Sequence, residues 1–150
     1  MNYKSVFITG GAGYVGSILV PELLKKNYKI AVYDIMYFGD HFLPKNNPNL
    51  KVIRGDIRDQ KNLQKSCKGY DAFLHLACIS NDSSFQLDKN LSKTINFDAF
   101  EPMVISAKAN GIRRSIYAST SSLQRYGSLD ERSNKKSKII ILIRRLRCHT

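Results

Sequence analysis

The chain has 150 residues, enough for one domain that buries roughly 68–70% of the surface its unfolded form exposes, so it can fold without staples. With 43% hydrophobic and 24% charged residues, 9 Gly and 4 Pro, its composition excludes a disordered, collagenous or low-complexity chain. The formal net charge of +12 would suit a polyanionic partner, but the last 23 residues hold 7 of the 24 basic and only 2 of the 12 acidic side chains, so a solvated face plus a basic tail accounts for it.

In chain order, Val6-Phe7-Ile8 is a short apolar run ending at Thr9-Gly10-Gly11, after which Val15, Ile18, Leu19 and Leu23 recur at helical spacing as far as Asn27. That is a strand, a glycine turn and a helix, with a kink expected at Pro21, which cannot bond the Ser17 carbonyl. Asn27 suits a left-handed helix end. Lys29 to Tyr33 reads as a second strand ending at Asp34, and Lys51 to Arg54 as a third ending at Gly55-Asp56. Asp59 can cap a short helix through Cys67. Asp71 to Leu76 reads as a fourth strand, with the continuous apolar character of a strand covered on both faces. A long helical stretch from about Leu91 to Asn110 ends at Gly111, and Ser115 to Ala118 forms the fifth strand. The alternation predicts right-handed βαβ crossovers in a Rossmann-like, doubly wound parallel sheet of order 3-2-1-4-5, with ligands bound beyond the carboxyl ends of the strands.

No apolar run approaches the ~20 residues of a membrane helix, and no signal segment follows Met1. A cytoplasmic location with no membrane partner is therefore expected. Cys67, Cys78 and Cys148 are odd in number without C-x-x-C spacing, and His41, His75 and His149 lie at no zinc-ligand spacing from them, so reduced thiols and no metal site are expected. Nucleic acid is disfavoured as a partner, because the basic residues outside the tail are scattered and no RRM, KH or helix-turn-helix signature occurs.

Thr9-Gly10-Gly11-Ala12-Gly13-Tyr14-Val15-Gly16 satisfies both G-x-G-x-x-G and G-x-x-G-x-x-G, in the strand-to-helix context that phosphate binding needs. Glycines permit a tight turn and close backbone approach, and the helix N-terminus offers N–H groups and a positive dipole end to a pyrophosphate. A glycine turn used only for packing is the competing reading. Asp34 lies 18 residues past Gly16, where an acidic side chain bonds the adenosine ribose hydroxyls of NAD. No Arg or Lys follows among Ile35 to Phe38, so the carboxylate favours NAD over NADP, unless Asp34 is merely a strand-ending turn residue.

With Gly55-Asp56-Ile57-Arg58-Asp59, His75-Leu76-Ala77-Cys78 and Tyr117-Ala118-Ser119-Thr120 added in order, residues 4 to about 127 resemble the extended short-chain dehydrogenases, the NAD-dependent epimerase/dehydratase family. The resemblance implies NAD as cofactor and a nucleotide-sugar substrate. Ala77 to Leu87 is similar to bacterial members linked to surface polysaccharide synthesis. It further implies that Asp56 accepts from the adenine amino group while Ile57 packs on the ring, and that Leu76 and Ala77 pass their backbone beside the pyrophosphate and nicotinamide ribose. Asn96 would support the active-site backbone, Ser119 the cofactor face, and Thr120 would be the catalytic hydroxyl that polarises the reacting sugar oxygen. His75 reads as a strand end, and Ser80 to Ser83 as either a solvated loop or the substrate entrance.

The family's Tyr-x-x-x-Lys pair occurs nowhere in the 150 residues, and Tyr126 has Asp130 four positions on. The usual Val-Tyr-Gly is displaced to Leu123-Gln124-Arg125-Tyr126-Gly127. From Ser128 the resemblance stops at Lys135-Lys136-Ser137-Lys138, Ile139 to Ile143 and Arg144-Arg145-Leu146-Arg147. The expectation is an NAD-binding domain over 1–127, truncated before the catalytic helix and substrate lobe, with an atypical basic tail over 128–150 from a shifted frame or a split gene. A genuine sixth strand with a basic end is the competing reading. The function expected is the NAD-binding half of a nucleotide-sugar epimerase or dehydratase, inactive alone. The alternatives are a noncatalytic NAD-binding or regulatory module and, more remotely, a basic nucleic-acid-binding fragment. The oligomeric state is not readable.

Overall fold

A computed structural model describes residues 3–79 and 88–118 together with the backbone of 141–145. Strand β1 (Ser5–Thr9) is buried along its whole length, as a strand covered on both faces must be. It is followed by α1 (Tyr14–Lys25), β2 (Lys29–Asp34), β3 (Leu50–Arg54), α2 (Gln60–Ser66) and β4 (Ala72–His75). Next come α3 (Lys89–Lys93), a π turn (Thr94–Asp98), α4 (Phe100–Ala109), β5 (Arg114–Ala118) and β6 (Ile141–Arg145). The sheet order is β3-β2-β1-β4-β5-β6. The first five strands pair parallel in the expected 3-2-1-4-5 order. The backbone of β6 adds an antiparallel sixth, Ile143 opposite Ile116.

The period of two in the strands divides the core. Phe7, Ala31, Tyr33 and Phe73 face α2 and α4 and join Leu63, Met103, Ala107 and Ile112. Val6, Ile8, Ile30, Val32, Ala72 and Leu74 face the other way and meet Val20 and Leu24 of α1.

Local chemistry ends the helices where the sequence indicates. Asn27 (φ 61) and Gly111 (φ 71) are left-handed. After α1, Asn27 and Tyr28 donate to Leu24 and Leu23; after α4, Gly111 and Ile112 donate to Lys108 and Ala107. Each is the paired closure of a Schellman motif. Asp59 caps α2 by accepting the Asn62 N–H at 3.1 Å. At the amino ends of the strands Asp71 accepts from the Lys4 and Ser5 N–H groups, Ser5 Oγ and Arg113 Nη2. These donors hold its carboxyl down at about 2.

Two expectations need correction. Val15 and Ile18 are exposed, Ile18 by 63%, and α1 instead buries Gly16, Val20 and Leu24. The missing side chain at Gly16 lets that face approach closest. Pro21 lies inside α1, as expected. The stretch from Leu91 to Asn110 is not one helix but α3, a π turn and α4.

Candidate functional site at the carboxyl ends of the strands

The glycine turn is built by exclusion of side chains. Gly10 has φ +75, its N–H donates to Tyr33 O at 2.9 Å, and a Cβ there would stand 2.4 Å from the Ala77 nitrogen. A Cβ on Gly16 would lie 2.2 Å from Gly11 O. Only glycine allows β1, the turn, α1 and the end of β4 to meet this closely. Gly13 is the N-cap of α1 without a side-chain cap. The first-turn N–H groups of Tyr14, Val15 and Gly16 therefore lack intrahelical partners and present a positive dipole end.

Asp34 faces this turn from the end of β2. Its Oδ2 accepts the Ala12 N–H at 3.0 Å and its Oδ1 the Met36 N–H at 2.8 Å. At the end of β3 the Tyr33 ring occupies the space over Gly55, where a Cβ would come 2.3 Å from it. Tyr33 donates its hydroxyl to Asp56 O at 3.0 Å, and burial, reinforced by Asp59 and Asp56, pushes its phenol up to about 12. The Asp56 carboxylate is held by Arg58, through its backbone N–H at 2.9 Å, Nε at 3.0 Å and Nη2. Those bonds keep Asp56 below the usual carboxylate range. Arg58 belongs to the Gly55-to-Asp59 motif, but the sequence assigns it no role of its own; its position two residues after Asp56 is the available signal. Ile57 is buried in the core with Phe7 and Leu63 and is not a surface platform.

At the end of β4, Leu76 donates its N–H to Thr9 O at 2.8 Å, which brings Leu76 and Ala77 alongside Gly10. Asn96, in the π turn, accepts the Ile79 N–H and donates to Ile79 O, both at 2.8 Å. This two-point clamp fixes the backbone that leaves β4, and a π turn is a frequent device for aiming such a residue. His75 is buried, with Nδ1 2.7 Å from Thr9 Oγ1 and its ring stacked on Tyr117 at 5.4 Å. Burial brings its pKa down to about 4, so it is neutral near pH 7. The structure thus brings together Gly10, Gly11, Gly13, Tyr14, Val15, Gly16, Asp34, Asp56, Leu76, Ala77 and Asn96 along one edge of the sheet. Ser119 and Thr120, Ser80 to Ser83 and Tyr126 lie outside the described residues.

Among the described residues no cluster of three or more His, Cys, Asp or Glu could hold a metal ion, and no helix is long and apolar enough to cross a membrane. A shallow cavity of about 390 Å³ beside Lys29, Lys51, Lys65, Lys68 and Tyr70 lies at the opposite, amino-terminal end of β2 and β3 and has no share in this edge.

Comparison with known proteins extends the geometry. The profile of the NAD dependent epimerase/dehydratase family matches residues 6–140. The chain is 30% identical over 127 residues to the UDP-N-acetyl-alpha-D-glucosaminuronate decarboxylase of Bacillus cytotoxicus, covering 83% of this chain and 39% of that protein. It is 30% identical over 122 residues to the 3 beta-hydroxysteroid dehydrogenase/Delta 5→4-isomerase of Mycobacterium tuberculosis, covering 79% and 32%. Among solved structures, the dTDP-glucose 4,6-dehydratase DesIV of Streptomyces venezuelae, with NAD bound, superposes with a TM-score of 0.78 at 27% identity, over 91% of this chain and 45% of that one. The chain thus spans less than half the length of each of these proteins.

Proposed function

The chain belongs to the NAD-dependent epimerase/dehydratase family, and from that premise we propose that it is the NAD-binding part of an enzyme acting on nucleotide-linked sugars. The observation that carries the cofactor reading is the turn from Gly10 to Gly16, with no room for side chains at Gly10 and Gly16, with an uncapped α1 N-terminus after it and with Asp34 bonded to the turn at Ala12. These residues fit a dinucleotide. The Tyr14, Val15 and Gly16 N–H groups receive a pyrophosphate. The Asp34 carboxylate has lone pairs left for ribose hydroxyls and repels a 2′-phosphate. Asp56, fixed by Arg58, stands where an adenine amino group can donate to it, and the backbone of Ile57 runs beside it.

Leu76 and Ala77 form the floor under the nicotinamide ribose, kept in place by the Leu76 bond to Thr9 and by Asn96 acting on Ile79. NAD, when bound, supplies a hydride acceptor. Ser119 and Thr120 directly follow β5, and in this reading Thr120 is the hydroxyl that holds the sugar oxygen beside that acceptor. His75, neutral and buried, takes no proton there.

The sugar substrate is favoured by the likeness to a sugar dehydratase and a sugar decarboxylase, and surface polysaccharide synthesis is the setting proposed for it. A steroid substrate is the second reading, favoured by the equally similar steroid dehydrogenase. The proposed organisation keeps the NAD-binding unit at 1–127, with 128–150 as a tail whose β6 backbone adds an antiparallel strand to that unit's sheet. Titration calorimetry on the unaltered chain tests the cofactor reading, with NAD expected to bind and NADP to bind at least tenfold more weakly, about 1.4 kcal/mol. Equal or tighter binding of NADP would sink it.

A further inference from the structure

Asp34 bridges two loops by itself. Its Oδ2 accepts from Ala12 in the glycine turn and its Oδ1 from Met36 in the loop after β2. Ala12 is 5% exposed, and among the described hydrogen bonds its N–H has no other acceptor. Met36 sits at φ 61, a left-handed conformation that is disfavoured for a residue with a long side chain. Its own carbonyl is tied down by the Gly39 N–H at 3.1 Å. A buried donor with one acceptor and the N–H of a left-handed residue both depend on the same carboxylate, and such a conformation persists only where the surroundings hold it.

We propose that Asp34 is a positioning residue for the glycine turn, a latch that keeps the turn's phosphate-facing N–H groups aimed, in addition to any contact it makes with a ribose. The inference rests on the NAD reading for the identity of the ligand, whereas the latch itself is intramolecular. One consequence is that replacing Asp34 by a small neutral residue does not exchange NAD for NADP but weakens both. Charge alone predicts the opposite sign for an anion. Removing a carboxylate beside a phosphate site relieves repulsion and tightens binding, whereas releasing the latch loosens it.

Inorganic pyrophosphate, which has no ribose, separates the two effects. In the full chain carrying Asp34→Ala, its affinity measured by NMR titration should fall by about tenfold, the scale of leaving one buried donor unsatisfied. The Ala12 amide should exchange with solvent at least about tenfold faster, while Ile8 and Val32 in the strand interiors keep their protection. Asp34→Asn, which retains one acceptor oxygen, should fall between the two and serves as the readout if Asp34→Ala does not fold. Unchanged or tighter pyrophosphate binding, or an Ala12 amide that stays protected, would overturn the latch. If the unaltered chain fails to bind NAD, the cofactor reading falls while Ala12 exchange still decides the latch.

Discussion

His75 shows how a single side chain links register, burial and pH. Thr9 and His75 are direct partners in the β1–β4 register, which sets the ring against the Thr9 hydroxyl and beside Tyr117 and Phe100. The sequence marks His75 as the end of a strand but cannot reveal the Thr9 partner, 66 positions away, because only the parallel register brings them together. Burial lowers its pKa from 6.5 to about 4. The unfolded chain therefore takes up a proton below about 6.5 that the folded chain refuses. Its contribution to stability is complete above that pH and is lost as pH falls toward 4, by roughly 3 kcal/mol. Asp71, held at about 2, keeps its own contribution until pH falls below about 4, so the two windows scarcely overlap. Urea unfolding at pH 7 and pH 4.5 should show this loss in the unaltered chain and much less of it in His75→Gln. A ring titration by NMR placing the His75 pKa near 6 would contradict the account.

At the scale of elements, strands and helix ends were legible because their signals are local. A buried parallel strand needs a continuous apolar run, and a left-handed closing residue needs Asn or Gly, as at Asn27 and Gly111. The periodic apolar residues of α1 do not all face the core: Leu19 and Leu23 pack against it, whereas Val15 and Ile18 are exposed. Periodicity counts apolar side chains, and the residue that sets the face, Gly16, has none. The π turn was also illegible, because nothing local in Thr94 to Asp98 demands it, while Asn96 reaches across to Ile79. These readings give opposite expectations on one helix. Gly16→Ala puts a Cβ 2.2 Å from Gly11 O, which is backbone and cannot swing aside, so it should destabilise the fold by about 1–3 kcal/mol and abolish pyrophosphate binding. Ile18→Gln, at an exposed position, should change stability by no more than about 0.5 kcal/mol. Urea unfolding of both variants checks the pair. A tolerated Gly16→Ala would mean that α1 sits further from the turn than its contacts show.

For the whole molecule, the sheet order and the edge where the site lies followed from alternating strands and helices, while the sixth strand stood only as the competing reading, since an isolated apolar run declares neither its partner nor its direction. What the 150 residues can do by themselves is a separate matter from what they bind. General acid–base help from a Tyr–Lys pair contributes about 10²–10⁴ in rate, and no Tyr-x-x-x-Lys occurs in this sequence. Thr120 cannot take that place, because an ordinary hydroxyl needs a base beside it to receive its proton. His75 is no substitute, being buried and already committed to Thr9. The expected outcome is NAD binding without turnover. The assay follows NAD reduction by absorbance and sugar interconversion by NMR over a panel of nucleotide sugars, with the 150-residue chain in large amount. Turnover above background that vanishes in Thr120→Ala would reverse the conclusion, placing Thr120 in a working site and requiring a base from the residues beyond Ala118 or from a second copy of the chain.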